Sequence, residues 1–144
     1  MLGYLKRNDI IELDLDDEKN YDKASVEVYV HREIYRKSDK NAIIHAHTPY
    51  AIIVSLFYDK IYPVDDEGKY YLSYIPVVEA EKTIASMEVG EKLSIILKEI
   101  PVAIVKGHGT FSAGKDLDEA LKYLSLAESI SHLKYLYDSY SKIL

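Results

Sequence analysis

The sequence predicts a single α/β domain of the α+β kind, covering residues 1–144. Three observations lead there. Short apolar runs bounded by turn residues alternate with longer segments of helical period. At 144 residues the chain suits one hydrophobic core. No internal repeat or low-complexity linker divides it.

Residues 8–17 (NDIIELDLDD) alternate apolar and acidic side chains, which predicts a strand closing in a turn. Residues 25–37 (SVEVYVHREIYRK) place Val26, Val30 and Ile34 on one helical face, with Tyr29 as a further candidate and Ser25 as a cap. The valine-rich start also alternates, so a strand stays open there. Residues 42–47 (AIIHAH) predict a strand, and residues 48–58 (TPYAIIVSLFY) begin a helix with Pro49 in its first turn. Residues 65–69 (DDEGK) predict a hairpin-type turn, followed by a strand over 70–78. Helices are expected over 78–87 and 90–98. Residues 101–109 (PVAIVKGHG) predict a buried strand running into a glycine-flanked loop. The last helix has Asp116 as N-cap and Glu119 three residues on, a capping-box pattern. Its expected apolar stripe is Leu117, Leu121, Leu124, Ala127, Leu133 and Leu136 or Tyr137, with Tyr123, Tyr135, Tyr137 and Tyr140 as core or interface candidates.

Composition removes several functions. A formal net charge of −6 with no lysine/arginine cluster argues against nucleic acid and anionic membranes as partners. Cysteine is absent, which excludes disulfides and thiolate metal sites. A metal would have to be held by His, Asp and Glu. The lack of a signal-peptide pattern or long apolar run points to a cytoplasmic protein.

His45 and His47 interrupt an apolar run. Residues two apart on a strand share a face, so both rings can reach one small ion. Zinc with imidazole ligands needs such convergence, although paired strand histidines are also found with a structural role. His108 stands between Gly107 and Gly109 directly after an apolar strand. It reads as a third ligand or as an exposed turn residue. Three protein ligands with one open position is the catalytic zinc pattern, and Mn, Co or Fe suit similar donors. Glu27 is a fourth ligand or an acid–base group, if it is not simply a solvated helix residue. His31 and His132 lie in helical patterns and read as surface or interface residues.

Together these pieces resemble the class II aldolase/adducin family, the zinc-dependent sugar-phosphate aldolases of the fuculose-phosphate type. SVEVYVHREIYRKSDKNAIIHAHTPYA resembles the family's S-x-E helix, then its H-x-H strand and the following helix. VAIVKGHGTFSAGKDLDEAL resembles its third-ligand segment, which passes through a short hairpin into the last helix. DIIELDLD resembles the strand after the substrate-phosphate loop. The resemblance implies a mostly antiparallel sheet flanked by helices, and a homotetramer with active sites between subunits. It implies that His45, His47 and His108 bind zinc, that Glu27 is the catalytic glutamate, and that Ser25 matches one of two serines that contact substrate phosphate.

The implied reaction cleaves or forms a carbon–carbon bond in a small ketose phosphate such as fuculose 1-phosphate, through a zinc-stabilised enediolate. Related enediolate reactions are the alternatives: epimerisation, dehydration or decarboxylation. A non-catalytic, adducin-like oligomeric module is another, but such members typically do not retain the metal ligands. The match is incomplete. MLGYLKRND aligns just after the family's second N-terminal phosphate loop, so both loops are unmatched. Val26 stands where the second serine belongs, and Asp65 and Asp66 lie where some members place a proton-transferring tyrosine. A start at an internal methionine and a natural short member with a changed phosphate site are the two accounts; Val26 favours the second.

Overall fold

The computed structural model describes residues 5–19 and 21–141. Among these residues, five α-helices and five strands form three layers: α1 (Val28–Lys37), β1 (Ala42–Ala46), α2 (Pro49–Ser55), β2 (Lys60–Ile61), α3 (Asp66–Tyr71), β3 (Ile75–Val78), α4 (Met87–Glu99), β4 (Val102–Val105), β5 (Gly109–Gly114) and α5 (Leu117–Ser141). The strand order is β1-β5-β4-β3-β2. The β3–β4 pair is parallel and the other three pairs are antiparallel. The α/β expectation with a mostly antiparallel sheet holds.

Strand alternation sorts the core into two halves. Ala103, Val105, Phe111, Ala113 and Ile43 face α1 and α4, meeting Val30, Ile34, Val89, Leu93 and Leu97. Val102 and Ile104 face the other way, toward Ala51, Val54, Ala127 and Ile130 of α2 and α5. Helices α1 and α4 approach closely because Gly90 has no Cβ; one there would lie 3.0 Å from the Glu33 Cβ. Among the described residues no helix is long and apolar enough to cross a membrane.

Several expectations are corrected. The strand expected over 70–78 is confined to Ile75–Val78, because α3 runs on to Tyr71. Val26, expected on the apolar face of the first helix, precedes α1 and is exposed. Residues 8–17 form no strand: a 3-10 turn at Arg7–Asp9 leads into irregular chain. Acidic residues of the segment make backbone turns instead. The amides of Asp16 and Lys19 donate to the carboxylates of Asp14 and Asp17, at 2.8 and 3.0 Å. Arg32 pairs with Glu18 and Arg36 with Asp16, which pins this segment to α1. Such exposed pairs contribute about 0–1 kcal/mol each, against about 1.5–3 for each buried aliphatic side chain of the core.

Residues 65–69 start a helix rather than a hairpin. Asp65 accepts from the Gly68 amide at 2.8 Å as N-cap, and Asp66 and Glu67 sit favourably at the positive helix end. The segment 79–86 is a loop, so the helix expected over 78–87 does not form. Its Ala85 has a positive φ of 51°. On α5 the buried face is Ala120, Leu124, Ala127, Ile130 and Ser131. Leu117, Leu121, Leu133, Leu136 and Tyr137 are exposed. Small residues let α5 lie against the sheet, where the Ser112 hydroxyl donates to the Ala120 carbonyl at 2.8 Å. Asp116 does cap α5, accepting from the Glu119 amide at 2.8 Å.

Candidate metal centre

The strand expected around the paired histidines is β1, and both rings leave its end toward the turn that carries His108. The ring centroids of His45, His47 and His108 stand 5.0, 5.0 and 5.1 Å apart, a nearly equilateral triangle. One nitrogen from each ring falls within 4.8 Å of the others. Glycine makes this approach feasible. A Cβ at Gly109 would lie 2.7 Å from the Ala46 carbonyl oxygen and 2.9 Å from the His45 ring. Gly107 turns the chain with a φ of 68°, and its amide donates to the Ser55 hydroxyl at 3.0 Å.

The surroundings of the rings fix which nitrogens are free. His45 Nδ1 lies 3.1 Å from the Thr110 carbonyl oxygen. A carbonyl only accepts, so Nδ1 carries the proton and the bare lone pair is on Nε2. That Nε2 is buried and has no partner among the described residues, as is true of His108 Nδ1. The His45 ring stacks on Phe111 at 4.0 Å and 15°. Burial pushes its pKa down to about 4; the Thr110 hydrogen bond opposes this, and His108 and His47 add to the lowering. A neutral imidazole is the form that ligates.

Glu27 is buried, with 4% of its surface exposed. Its Oε1 lies 3.8 Å from His108 Nε2 and accepts from the Ala85 amide at 3.1 Å. Its Oε2 is buried without a partner among the described residues. A left-handed alanine costs about 1–2 kcal/mol, and a hydrogen bond to a buried carboxylate returns about 1.5–3. The strain at Ala85 is therefore local support for Glu27. Helix α1 begins at Val28, later than expected, and Glu27 occupies its N-cap position with no side-chain capping bond. Ser25 is exposed, and its hydroxyl accepts from the Glu27 amide at 3.3 Å.

Three imidazoles, each with a nitrogen within 4.8 Å of the others, and a buried carboxylate beside one of them fit a divalent cation with an open position. Sequence reasoning names these four side chains but misses their support. Thr110 and Ala85 carry no chemical signal of their own, although Thr48 and Thr110 each closely follow a histidine motif. His31, expected at the surface or an interface, is instead half-buried with its ring 5.8 Å from Phe111, and burial lowers its pKa to about 4. His132 is half-buried and stacks on Tyr50 at 3.9 Å.

The lowered pKa values predict a pH dependence. In the metal-free folded protein His31 and His45 stay neutral down to about pH 4, whereas in the unfolded chain they protonate near 6.5. The unfolded state then binds more protons, so the stability they contribute is complete above about pH 6.5 and is lost as pH falls toward 4. Denaturant midpoints at pH 7 and 4.5, with chelator, should show a steeper loss for the native chain than for His31→Gln. Equal losses would mean that His31 titrates alike in both states.

A family model, the class II aldolase and adducin N-terminal domain, matches residues 1–135. The chain belongs to the class II aldolase and adducin family. An L-fuculose phosphate aldolase of Methanocaldococcus jannaschii is 34% identical over 137 residues, which cover 94% of this chain and 74% of that protein. A methylthioribulose-1-phosphate dehydratase of a Sulfurihydrogenibium species is 29% identical over 150 residues, 91% of this chain and 67% of that one. The crystal structure of an L-fuculose-1-phosphate aldolase from Thermus thermophilus superposes with a TM-score of 0.89 at 28% identity, covering 96% and 73%. The family thus spans more than one reaction on sugar phosphates, and members share a fold whose sheet, here, carries the histidine cluster.

Proposed function

We propose that His45, His47 and His108 hold one divalent cation, zinc by preference, and that the chain is a lyase acting on a small hydroxy-carbonyl phosphate such as fuculose 1-phosphate. The observation that carries this reading is the triangle of three imidazoles about 5 Å apart, with the Glu27 carboxylate 3.8 Å from one of them. Bound there, a divalent ion supplies Lewis acidity to a carbonyl oxygen. Glu27 is the group that moves the proton. Its Oε1 is fixed by the Ala85 amide, so Oε2 is left to give a proton to, or take one from, the substrate carbon beside the carbonyl. Ser25, two residues away and exposed, is the residue we assign to a polar substituent of substrate. The exposed apolar side chains of α2, α5 and the turn after α2, among them Ile53, Phe57, Tyr137 and Tyr140, support a homo-oligomer.

The dehydratase relative favours a second reading, in which the same proton transfer is followed by loss of water rather than carbon–carbon cleavage. One experiment separates them. Protein prepared without chelator or polyhistidine tag is assayed for metal by elemental mass spectrometry, then incubated with fuculose 1-phosphate and with methylthioribulose 1-phosphate. We expect about one zinc per chain and dihydroxyacetone phosphate from the first substrate. Dehydrated product from the second alone would establish the dehydratase reading. Metal without turnover of either would overturn both readings.

A further inference from the structure

We propose that the buried Thr48–Thr110 hydroxyl pair is a positioning device for the three-histidine centre, clamping together the two segments that deliver its ligands. The inference rests on the reading that those histidines hold a divalent ion. Thr48 directly follows His47, and Thr110 lies two residues beyond His108. Their hydroxyls meet at 2.6 Å, and both residues are buried. Neither hydroxyl has ready access to water as an alternative partner, so the pair strongly favours one arrangement.

The local chemistry explains why this hydroxyl is available. Thr48 occupies the N-cap position of α2, where threonine ordinarily accepts from the first-turn amides. Here it makes no capping bond. The Glu128 carboxylate of α5 does so instead, accepting from the amides of Tyr50 and Ala51 at 3.1 and 3.0 Å. Thr48 is thereby released to reach across to β5. Thr110 in turn touches the geometry of every ligand. Its carbonyl sets the tautomer of His45. Its backbone pairs with Ala46, the residue between the two strand histidines. It is the second residue of β5, the strand that directly follows His108. Neither threonine touches the proposed ion; both act through the backbone and through His45.

Valine has threonine's shape without the hydroxyl. Thr48→Val or Thr110→Val each strands one buried hydroxyl, which lowers stability. The double variant Thr48→Val/Thr110→Val strands none. Zinc affinity is measured by competition with a chromogenic chelator, cobalt spectra report ligand geometry, and thermal unfolding of the metal-free proteins reports the fold. We expect zinc binding about 10- to 100-fold weaker in both single variants, with a changed cobalt spectrum, and wild-type affinity in Thr110→Ser. In the double variant the metal-free stability should return close to wild type while zinc binding stays weak. A double variant that regains affinity together with stability would make the pair a packing feature only. Wild-type affinity in the single variants would overturn the proposal equally. A wild-type protein that binds no zinc would remove the metal reading itself, and with it this inference.

Discussion

The His45→Ala/His47→Ala protein should purify without metal and with its fold retained. Structural zinc sites bind with about 10–16 kcal/mol over four ligands. Losing two ligands therefore weakens binding by on the order of 10⁴-fold. The fold should tolerate the change because neither ring belongs to a core cluster. His47 is exposed, and His45 buries a nitrogen that has no partner among the described residues. Strand β1 is held by its ladder to β5, from Ala42 opposite Gly114 to Ala46 opposite Thr110, and alanine continues that ladder. The main loss is the stack of His45 on Phe111, worth about 0.5–1.5 kcal/mol beyond area burial. Elemental analysis and circular dichroism decide the outcome. Full metal occupancy in this variant would move the site elsewhere, and an unfolded protein would show that the histidines support the strand rather than an ion.

The same division between backbone ladder and side-chain chemistry explains what the sequence disclosed. Apolar runs such as VAIV and AII must be buried on both sides of a sheet, and they became β4 and the start of β1. The histidines were conspicuous because they are costly in such a run unless something receives them. Legibility ended where short polar residues decide the backbone. Asp65 serves equally as a turn residue or a helix cap, and its bond to the Gly68 amide, on a glycine closely approached by Pro63 and Ile130, makes it a cap. Glu12, Asp14 and Asp16 match a strand alternation, yet the carboxylates of Asp14 and Asp17 bond to nearby backbone amides in turns. On α5 several periodic leucines remain exposed while alanines meet the sheet, because close approach mattered more than apolar area. At the site, donor atoms could be read one residue at a time. Their supports could not: the Ala85 amide reaches Glu27 across 58 residues of sequence, and Thr48 meets Thr110 across 62.

Glu27→Gln should retain metal and lose the chemistry. Glutamine has the glutamate shape, and its carbonyl oxygen can still accept the Ala85 amide hydrogen. Its amide nitrogen then lies where Oε2 was, an oxygen that no donor among the described residues satisfies. An amide cannot hold or return a proton, and removing a positioned acid–base group costs about 10²- to 10⁴-fold in rate. Zinc affinity should fall by much less, because the three imidazoles remain. Stability should hold or rise: the variant no longer buries a carboxylate with one unsatisfied oxygen, a burden that outweighs the milder one of an unpaired amide. Turnover, metal content and unfolding midpoint of the same preparation separate the cases. Undiminished turnover would take Glu27 out of the mechanism. Loss of metal along with activity would make Glu27 a ligand first, with its 3.8 Å approach to His108 reflecting two donors sharing one ion rather than a base beside it.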